Sequence, residues 1–410
     1  MSPTPADEER RLAGLVRAHD RWRGRDVFNL LASENAVSKT ARRYLASDLA
    51  GRYTLPMDLE VDGERIDNSY AGTRYTDRIE RLANDAAARL FRARYATTRP
   101  LSGHIAALSV LAPLLPHGAR LLAVPVEDGG YDGYRTGFLP SMLGYDVRPL
   151  RADGPGHTMD GEAAARTIRA ERPNAVLLGQ SFVLEPFPLR EVAEAAHEVG
   201  ALVLYDASHV LGLIAGGQFQ DPLREGADVV FGSTHKSFPG PQGGLIVTDR
   251  EELGGTIDPF LVWRTFDNAH WHRIAALGQT LLELERCGTE YARTVVENAR
   301  ALASALDTEG LPLVRAVHGF TSSHQIHLDR AGLLREHQVG PGALARRLER
   351  RRLLIDLVGR IGVAEATRLG LVPSDMPRLA HLLVEGGVRN HNVTSEVRDW
   401  RRTFVGLRFA

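Results

Sequence analysis

The stretch ALVLYDASH, residues 201–209, joins a short apolar run to a polar end. An apolar run of this length is typical of a strand that is buried on both faces of a sheet. Amphipathic segments with helical spacing, such as LREVAEAAHEVG at 189–200, lie between runs of this kind and end in glycine. The other runs are RLLAVPV (120–126), NAVLLGQ (174–180), DVVFGS (228–233) and GGLIVTD (243–249). Strands that alternate with helices predict an α/β domain with a mostly parallel sheet.

The order of the patterns predicts a large and a small domain, and 410 residues are enough for both. A long helical pattern runs from about 274 to 307. It is followed by SSHQIHLD (322–329) as a strand and GALARRLERRRLL (342–354) as a helix. We therefore expect a polar N-terminal arm at 1–29, a large α/β domain at 30–275, and the long helix with a small α+β domain at 276–410.

Charge and apolar content exclude several classes of partner. The formal net charge is −1 and the arginines are scattered, so no basic stripe indicates nucleic acid. No apolar run reaches the ~18 residues that a membrane span needs, and the polar start MSPTPADEERR does not resemble a secretory signal. The single cysteine, Cys287, rules out an intramolecular disulfide. We expect a cytoplasmic protein whose partners are small molecules or a second copy of the chain.

Only two of the 50 basic residues are lysines, Lys39 and Lys236. Arginine serves as well as lysine on most surfaces, but only a lysine amine can lose its proton and form a Schiff base. Lys236 follows one apolar run within GSTHKSFPGPQGG (232–244), and Asp206 and His209 follow another. Ligand groups gather at the carboxyl ends of such strands. An acid and a lysine so placed suit a pyridine cofactor, although a helix-capping acid and a loop lysine explain the same pattern.

A phosphate group of such a cofactor needs backbone N–H donors. RPLSGHIAAL (99–108) places Ser102, Gly103 and His104 directly before a helical pattern. Free N–H groups and the helix dipole at this point favour an anion. Simple N-capping by the serine explains this turn equally well.

Three motifs carry a resemblance to a known family: LLASEN (30–35), DASHVLGLIAGG (206–217) and STHKSFPGPQGG (233–244). In this order and at this spacing they resemble the serine hydroxymethyltransferase family. The resemblance covers most of residues 28–410 and is strongest from Ala201 to Val247. It implies a fold-type I enzyme that depends on pyridoxal phosphate. It also implies a homodimer, or a tetramer, whose active sites use both subunits.

Matching positions imply roles for individual residues. Lys236 matches the Schiff-base lysine, Asp206 the partner of the pyridine nitrogen, and Arg360 the arginine that grips the substrate carboxylate. The other cofactor-binding positions are Ser102, Gly103, His104, Tyr131, Ser181, His209, Ser233 and His235. Besides Arg360, the substrate-binding positions are Ser33, Tyr53 and Tyr70. Catalytic roles are implied for Lys236, His235, His209, Tyr70 and Tyr53, although aromatic packing remains the alternative for the tyrosines and a surface position for Arg360.

The sequence departs from the family where folate binds. Leu55 stands where members carry a glutamate used in one-carbon transfer, and Asp132 replaces an apolar residue. An asparagine-containing loop before the carboxylate arginine is absent, and WRTFDNAHW (263–271) replaces a glycine-rich hairpin that reaches a neighbouring subunit's phosphate. Gln242 replaces an arginine. These changes spare the cofactor site, so we expect an enzyme that does not use tetrahydrofolate.

An insertion at 54–68 contains five acidic residues and one arginine, which gives a local formal charge of −4. A lid of this sign repels a polyglutamate tail and favours a polar or cationic substrate. A solvated loop is the alternative interpretation. The acidic residues are Asp58, Glu60, Asp62, Glu64 and Asp67.

The leading hypothesis is chemistry at Cα of a β-hydroxy-α-amino acid through an external aldimine, by aldol cleavage or transfer without folate. The alternatives are oxidative decarboxylation or deamination, β-elimination, true glycine/serine hydroxymethyl transfer, and a scaffold that lacks the cofactor. Secondary metabolism, such as antibiotic biosynthesis, is one setting for such an enzyme. No metal site is expected, because the HWH triplet at 270–272 lacks a suitably spaced carboxylate partner.

Overall fold

A computed structural model describes residues 3–410, except for the side chains of Met57, Asp58, Leu59 and Asp67. A seven-stranded sheet lies at its centre. In chain order its strands are β1 (Tyr95–Thr97), β2 (Arg120–Ala123), β3 (Asp146–Pro149), β4 (Ala175–Gly179), β5 (Leu202–Asp206), β6 (Val229–Ser233) and β7 (Gly244–Thr248). The five predicted apolar runs supply β2, β4, β5, β6 and β7.

The spatial order of the sheet is β1-β7-β6-β5-β4-β2-β3. The strands from β6 to β3 pair in parallel, whereas β7 is antiparallel to both β6 and β1. The predicted mostly parallel α/β architecture is therefore confirmed. The sequence did not reveal β1 and β3, because both are short edge strands, and the residues of β3 are half-buried or exposed.

The two faces of the sheet bury alternate residues of each strand. In β5, Val203 and Tyr205 belong to one apolar core, whereas Leu204 belongs to the other. In β4, Val176 and Leu177 divide in the same way. A strand covered on both faces needs apolar side chains at every position, which explains the continuous apolar runs in the sequence.

Helices cover the sheet and build most of the remaining chain. In chain order they are α1 (Pro5–Arg21), α2 (Lys39–Leu45), α3 (Thr76–Phe91), α4 (Gly103–Leu114), α5 (Leu139–Met142), α6 (Gly161–Glu171), α7 (Leu189–Glu198), α8 (Leu211–Ala215), α9 (Glu251–Phe260), α10 (Trp271–Thr308), α11 (Arg330–His337), α12 (Pro341–Arg350), α13 (Ala364–Leu369), α14 (Met376–Leu383) and α15 (Thr394–Arg401). The long predicted helix is α10, which has 38 residues and packs against α2, α3 and α14. It therefore links elements from the two ends of the chain.

Three pairs of short strands lie outside the central sheet. Phe28–Asn29 pairs in parallel with Leu353–Leu354, and Pro56–Val61 forms an antiparallel hairpin with Glu64–Asn68. The third pair is antiparallel and joins Gln325–His327, within the predicted strand at 322–329, to Arg360–Gly362. Within residues 3–410, no helix combines the length and the apolar character required to cross a membrane.

Candidate active site

The carboxyl ends of β4, β5 and β6 surround a cavity of about 220 Å³. This is the edge of the sheet where the sequence predicted ligand groups to gather. Ten residues assigned to the cofactor contribute to its lining: Ser102, Gly103, His104, Tyr131, Ser181, Asp206, His209, Ser233, His235 and Lys236. Gln180 and Ser208 complete the lining. The fold thus brings together residues that are up to 134 positions apart, from Ser102 to Lys236.

Lys236 lies on the loop that follows β6. Desolvation by the cavity walls lowers the pKa of its amine to about 8, and the nearby charge of Arg360 acts in the same direction, whereas Asp206 opposes the shift. A lower pKa increases the fraction of neutral amine, which is the nucleophilic form. Burial together with the Lys236 charge also lowers the pKa of His235 to about 4.

The lysine loop is held by a residue of the motif LLASEN. The side-chain Nδ2 of Asn35 donates to the backbone oxygen of Lys236 at 2.8 Å. Tyr291, on α10, donates its hydroxyl to the backbone oxygen of Ser237 at 2.7 Å. Sequence analysis assigned no role to Asn35 or Tyr291. Asn35 thus helps to fix the backbone at Lys236, although the two residues are 201 positions apart in the sequence.

Asp206 ends β5, and two donors orient its carboxylate. The hydroxyl of Tyr134 donates to Oδ2 at 2.5 Å, and the backbone N–H of Ser208 donates to Oδ1 at 2.9 Å. Tyr134 is buried, and burial together with the Asp206 charge raises the pKa of its phenol. Sequence analysis missed Tyr134, although it lies three residues after Tyr131 in the same loop. The carboxylate is therefore fixed within the cavity, as a partner for a ring nitrogen must be.

Gly103 allows α4 to approach β6 closely. A Cβ at this position would lie 2.9 Å from both Cβ and N of Ser233 and 3.1 Å from Oγ of Ser208. Ser102 caps α4, because its Oγ accepts from the N–H of Ile105 at 3.1 Å. The N–H groups of the first helical turn lack partners within a helix. These free N–H groups at the start of α4 therefore favour the binding of an anion.

Two buried polar atoms of the cavity residues lack hydrogen-bond partners within the described part of the chain. They are Oγ of Ser233 and Nδ1 of His235. An unpaired buried polar atom is costly unless a ligand or water satisfies it. Together with the close turn at Gly103, these atoms fit a polar cofactor that carries a phosphate.

Replacing Gly103 with alanine tests this fit. Overpacking costs about 1–3 kcal/mol, and here the nearest atoms include the Ser233 backbone, which cannot move freely. We expect the dissociation constant for pyridoxal phosphate to rise roughly tenfold, measured by absorbance titration of the apoprotein. Gly255→Ala in α9 is the matched control, because a Cβ added there would meet no atom within 4 Å. Unchanged affinity in Gly103→Ala would contradict the assignment of this turn.

Comparison with known proteins supports the same interpretation. The family model described as serine hydroxymethyltransferase matches residues 6–341. The chain belongs to the serine hydroxymethyltransferase family. Proteins named serine hydroxymethyltransferase are similar along nearly the whole chain. The one from Pyrobaculum islandicum is 37% identical and the match covers 99% of this chain and 95% of that protein. The one from Methanopyrus kandleri is 37% identical, with coverage of 96% and 93%.

A solved structure shares the fold. It is the L-threonine transaldolase from Pseudomonas fluorescens in its internal aldimine state. The TM-score is 0.87 at 24% identity, and the match covers 99% of this chain and 94% of the transaldolase. The predicted fold-type I architecture and the predicted family are confirmed. The cofactor is pyridoxal phosphate, as in the serine hydroxymethyltransferase family.

The predicted substrate arginine, Arg360, lies beside the lining of the cavity. Its Nε donates to Oδ2 of Asp356 at 2.6 Å, and its Nη1 donates to the backbone oxygen of Ser181 at 2.7 Å. The guanidinium also stacks over the ring of Phe182 at 4.8 Å. Burial lowers the pKa of Lys236 and of His209, and the charge of Arg360 adds to both shifts. Sequence analysis missed Asp356, which accepts from Nε of the guanidinium.

Three predicted residues lie outside the cavity of this chain. Tyr53 and Tyr70 are 40% and 47% exposed, and their rings meet edge to face at 5.0 Å. The hydroxyl of Tyr53 donates to Oδ2 of Asp267 at 2.5 Å, a bond that raises the pKa of the phenol to about 12. Ser33 is half-buried and contributes no cavity lining. Their assignment to a substrate site stays a prediction.

The insertion at 54–68 contains the hairpin of Pro56–Val61 and Glu64–Asn68. Glu60, Asp62 and Glu64 are exposed, whereas the side chains of Asp58 and Asp67 lie outside the described residues. Leu55, at the position of the family's glutamate, is 6% exposed. An apolar buried side chain at this point cannot exchange a proton. No cluster of three or more His, Cys, Asp or Glu residues suited to a metal occurs in the described part of the chain.

Proposed function

We propose that this enzyme cleaves the Cα–Cβ bond of a β-hydroxy-α-amino acid, or transfers the fragment to an aldehyde, without tetrahydrofolate. Two observations together carry the proposal. Leu55, at the position of the folate-linked glutamate, is buried, and Lys236, Asp206 and His235 line one cavity. Hydroxymethyl transfer between serine and glycine is the second candidate. It is favoured by the name that the relatives carry over nearly their whole length.

Different residues of the site would bind the cofactor, bind the substrate and accept a proton. Lys236 and the turn at Gly103 would hold pyridoxal phosphate, which supplies an electron sink for charge that develops at Cα. Arg360 would bind the substrate carboxylate by a charge-assisted hydrogen bond. Retro-aldol cleavage also requires a group that removes the proton from the β-hydroxyl. A pKa of about 4 keeps His235 neutral at neutral pH. Its ring therefore has a nitrogen that can accept a hydrogen bond from the β-hydroxyl, but the ring is a weak base. His209 and the tyrosines are the other candidates.

The proposal predicts aldehyde release from threonine-like substrates in the absence of folate. Purified holoenzyme is given threonine, allo-threonine and phenylserine, and the aldehyde is measured with a coupled dehydrogenase. We expect the rate to be the same with and without tetrahydrofolate. Serine with tetrahydrofolate is the parallel assay for hydroxymethyl transfer, and an oxygen electrode detects oxidative decarboxylation. Folate-dependent turnover of serine without cleavage of the longer substrates would contradict the proposal.

We also propose that two copies of the chain share their active sites. The exposed pair of Tyr53 and Tyr70 supports this, because both tyrosines were assigned to catalysis and both lie outside the cavity of their own chain. The exposed apolar side chains of Leu12 and Leu15 on α1 are also available for contact. Light scattering should give twice the chain mass of 45.0 kDa, and a monomer that retains full activity would contradict sharing. A cytoplasmic location and the domain division at about residue 275 remain parts of the same proposal.

A further inference from the structure

Gln325 is a fully buried residue whose side-chain amide uses all of its hydrogen-bonding capacity. Its Oε1 accepts from the backbone N–H of Val183 at 3.2 Å and lies 2.8 Å from Nε2 of His327. Its Nε2 donates to the backbone oxygen of Ser181 at 3.2 Å and lies 3.0 Å from Nδ1 of His209. No local sequence pattern indicates this arrangement, because Gln325 and His209 are 116 residues apart.

The two backbone partners fix the orientation of the amide. A backbone N–H only donates, and a backbone oxygen only accepts. If the amide were reversed, its NH₂ group would face the N–H of Val183 and its oxygen would face the oxygen of Ser181. Both contacts are repulsive, and both are buried. The Nε2 group of Gln325 therefore points at His209.

An NH₂ group can only donate, so Nδ1 of His209 must be the acceptor and cannot carry a proton. The ring proton of neutral His209 then lies on Nε2, the nitrogen left for the cavity that His209 lines. The groups around the ring also oppose a charged imidazolium. Burial and the charges of Lys236 and Arg360, with smaller contributions from His324 and His235, lower its pKa well below the usual value.

We propose that Gln325 is a positioning residue, which holds His209 as the neutral tautomer with its proton on Nε2. In this form His209 donates a hydrogen bond to the ligand in the cavity and does not accept a proton. The consequence for catalysis rests on the proposed function: His209 is no longer a candidate for the base that deprotonates the β-hydroxyl. His235 and the tyrosines remain.

The same amide connects His209 to the substrate arginine. The backbone oxygen of Ser181 accepts from both Nε2 of Gln325 and Nη1 of Arg360. In the adjacent strand pair, His327 lies opposite Arg360, and Gln325 lies opposite Gly362. Nε2 of His324 lies 3.0 Å from the backbone oxygen of Ala32. The ring of His324 is nearly parallel to the ring of His209, with 6.1 Å between the ring centroids. Gln325 thus contacts His209 directly and shares a backbone acceptor with Arg360.

Nitrogen NMR of the holoenzyme labelled with ¹⁵N-histidine tests the inference without any turnover. The His209 signals are assigned by their loss in His209→Asn. We expect a wild-type ring with a bare Nδ1 and a protonated Nε2 at neutral pH. Protonated Nδ1 in the wild-type enzyme would overturn the proposal, and this measurement needs no Gln325 variant to fold.

Two substitutions separate positioning from packing. Gln325→Glu offers an acceptor in place of the donor, so we expect the proton of His209 to move to Nδ1 and kcat to fall about tenfold. Gln325→Met keeps the approximate volume without hydrogen bonds, so we expect a mixture of both tautomers. An unchanged tautomer in Gln325→Glu would overturn the proposal. Aldehyde assays of the same samples test the proposed function separately. If His209 carries its proton on Nε2 but the enzyme cleaves no β-hydroxy amino acid, the proposed function is refuted and the role of Gln325 is not.

Discussion

Replacing Lys236 with alanine is expected to abolish the visible absorption of the enzyme and to lower kcat roughly a thousandfold or more. Lys236 is the one lysine among the residues that line the cavity, and the other lysine of the chain, Lys39, is exposed on α2. Arginine cannot replace its amine, because guanidinium stays protonated. The measurement is the absorption spectrum of the purified protein, followed by borohydride reduction and mass spectrometry of the peptide that contains residue 236.

Lys39→Ala is the matched control and should keep the spectrum, the reduced adduct and the activity. A borohydride-reduced cofactor adduct that persists in Lys236→Ala would place the covalent site at another residue and contradict the proposed assignment. The contrast is unusually clear in this chain, because only these two lysines exist.

The lowered pKa of Lys236 adds a pH dependence to the same experiment. The neutral amine is the nucleophile, and its fraction rises as pH increases through the pKa. For an amine with a pKa of about 8, the rate at which apoprotein captures pyridoxal phosphate should rise up to about pH 8 and then level off. An ordinary lysine would give a rate that still rises at about pH 10.

The sequence predicted five strands of the sheet because most of their residues are buried and are therefore recognisable as apolar runs. It also predicted that Asp206 and Lys236 lie at the carboxyl ends of such runs, and the structure places both in the lining of one cavity. The partners of these groups escaped prediction. Tyr134 reaches Asp206 from a loop 72 residues earlier, and Asn35 reaches the lysine loop across 201 residues. Contacts of this kind depend on how loops cross the sheet, which no local pattern encodes.

Other residues of the site show the same limit. Gln325 lies in a segment that was predicted as a strand, but alternation along a strand indicates only which side chains share a face. It does not identify the four groups that the amide contacts. Arg360 and Asp356 form an ion pair and are only four residues apart. Asp356 lies in the loop before the strand that begins at Arg360, so the i,i+4 spacing of a helix did not apply. The exposed pair Tyr53 and Tyr70 needs a second copy of the chain before its role can be assigned.

Replacing Asp206 with asparagine is expected to lower kcat roughly a thousandfold while the cofactor stays covalently bound. The substitution keeps the shape of the side chain and an acceptor for the Ser208 N–H, but it removes the negative charge that would hold a proton on the ring nitrogen of the cofactor. It also removes the group that raises the pKa of Lys236, so that pKa should fall further below its usual value. Steady-state kinetics and the absorption spectrum measure the two effects.

Tyr134→Phe separates the charge of Asp206 from its orientation. This variant loses the 2.5 Å hydrogen bond to Oδ2 and keeps the carboxylate, so we expect a loss of about tenfold, well short of the loss in Asp206→Asn. If the charge is the essential property, Asp206→Glu should also retain more activity than Asp206→Asn, despite its longer side chain. Equal losses in Tyr134→Phe and Asp206→Asn would show instead that the orientation of the carboxylate decides the rate. Both tests leave Lys236 in place, so the spectrum confirms in each case that the cofactor is bound.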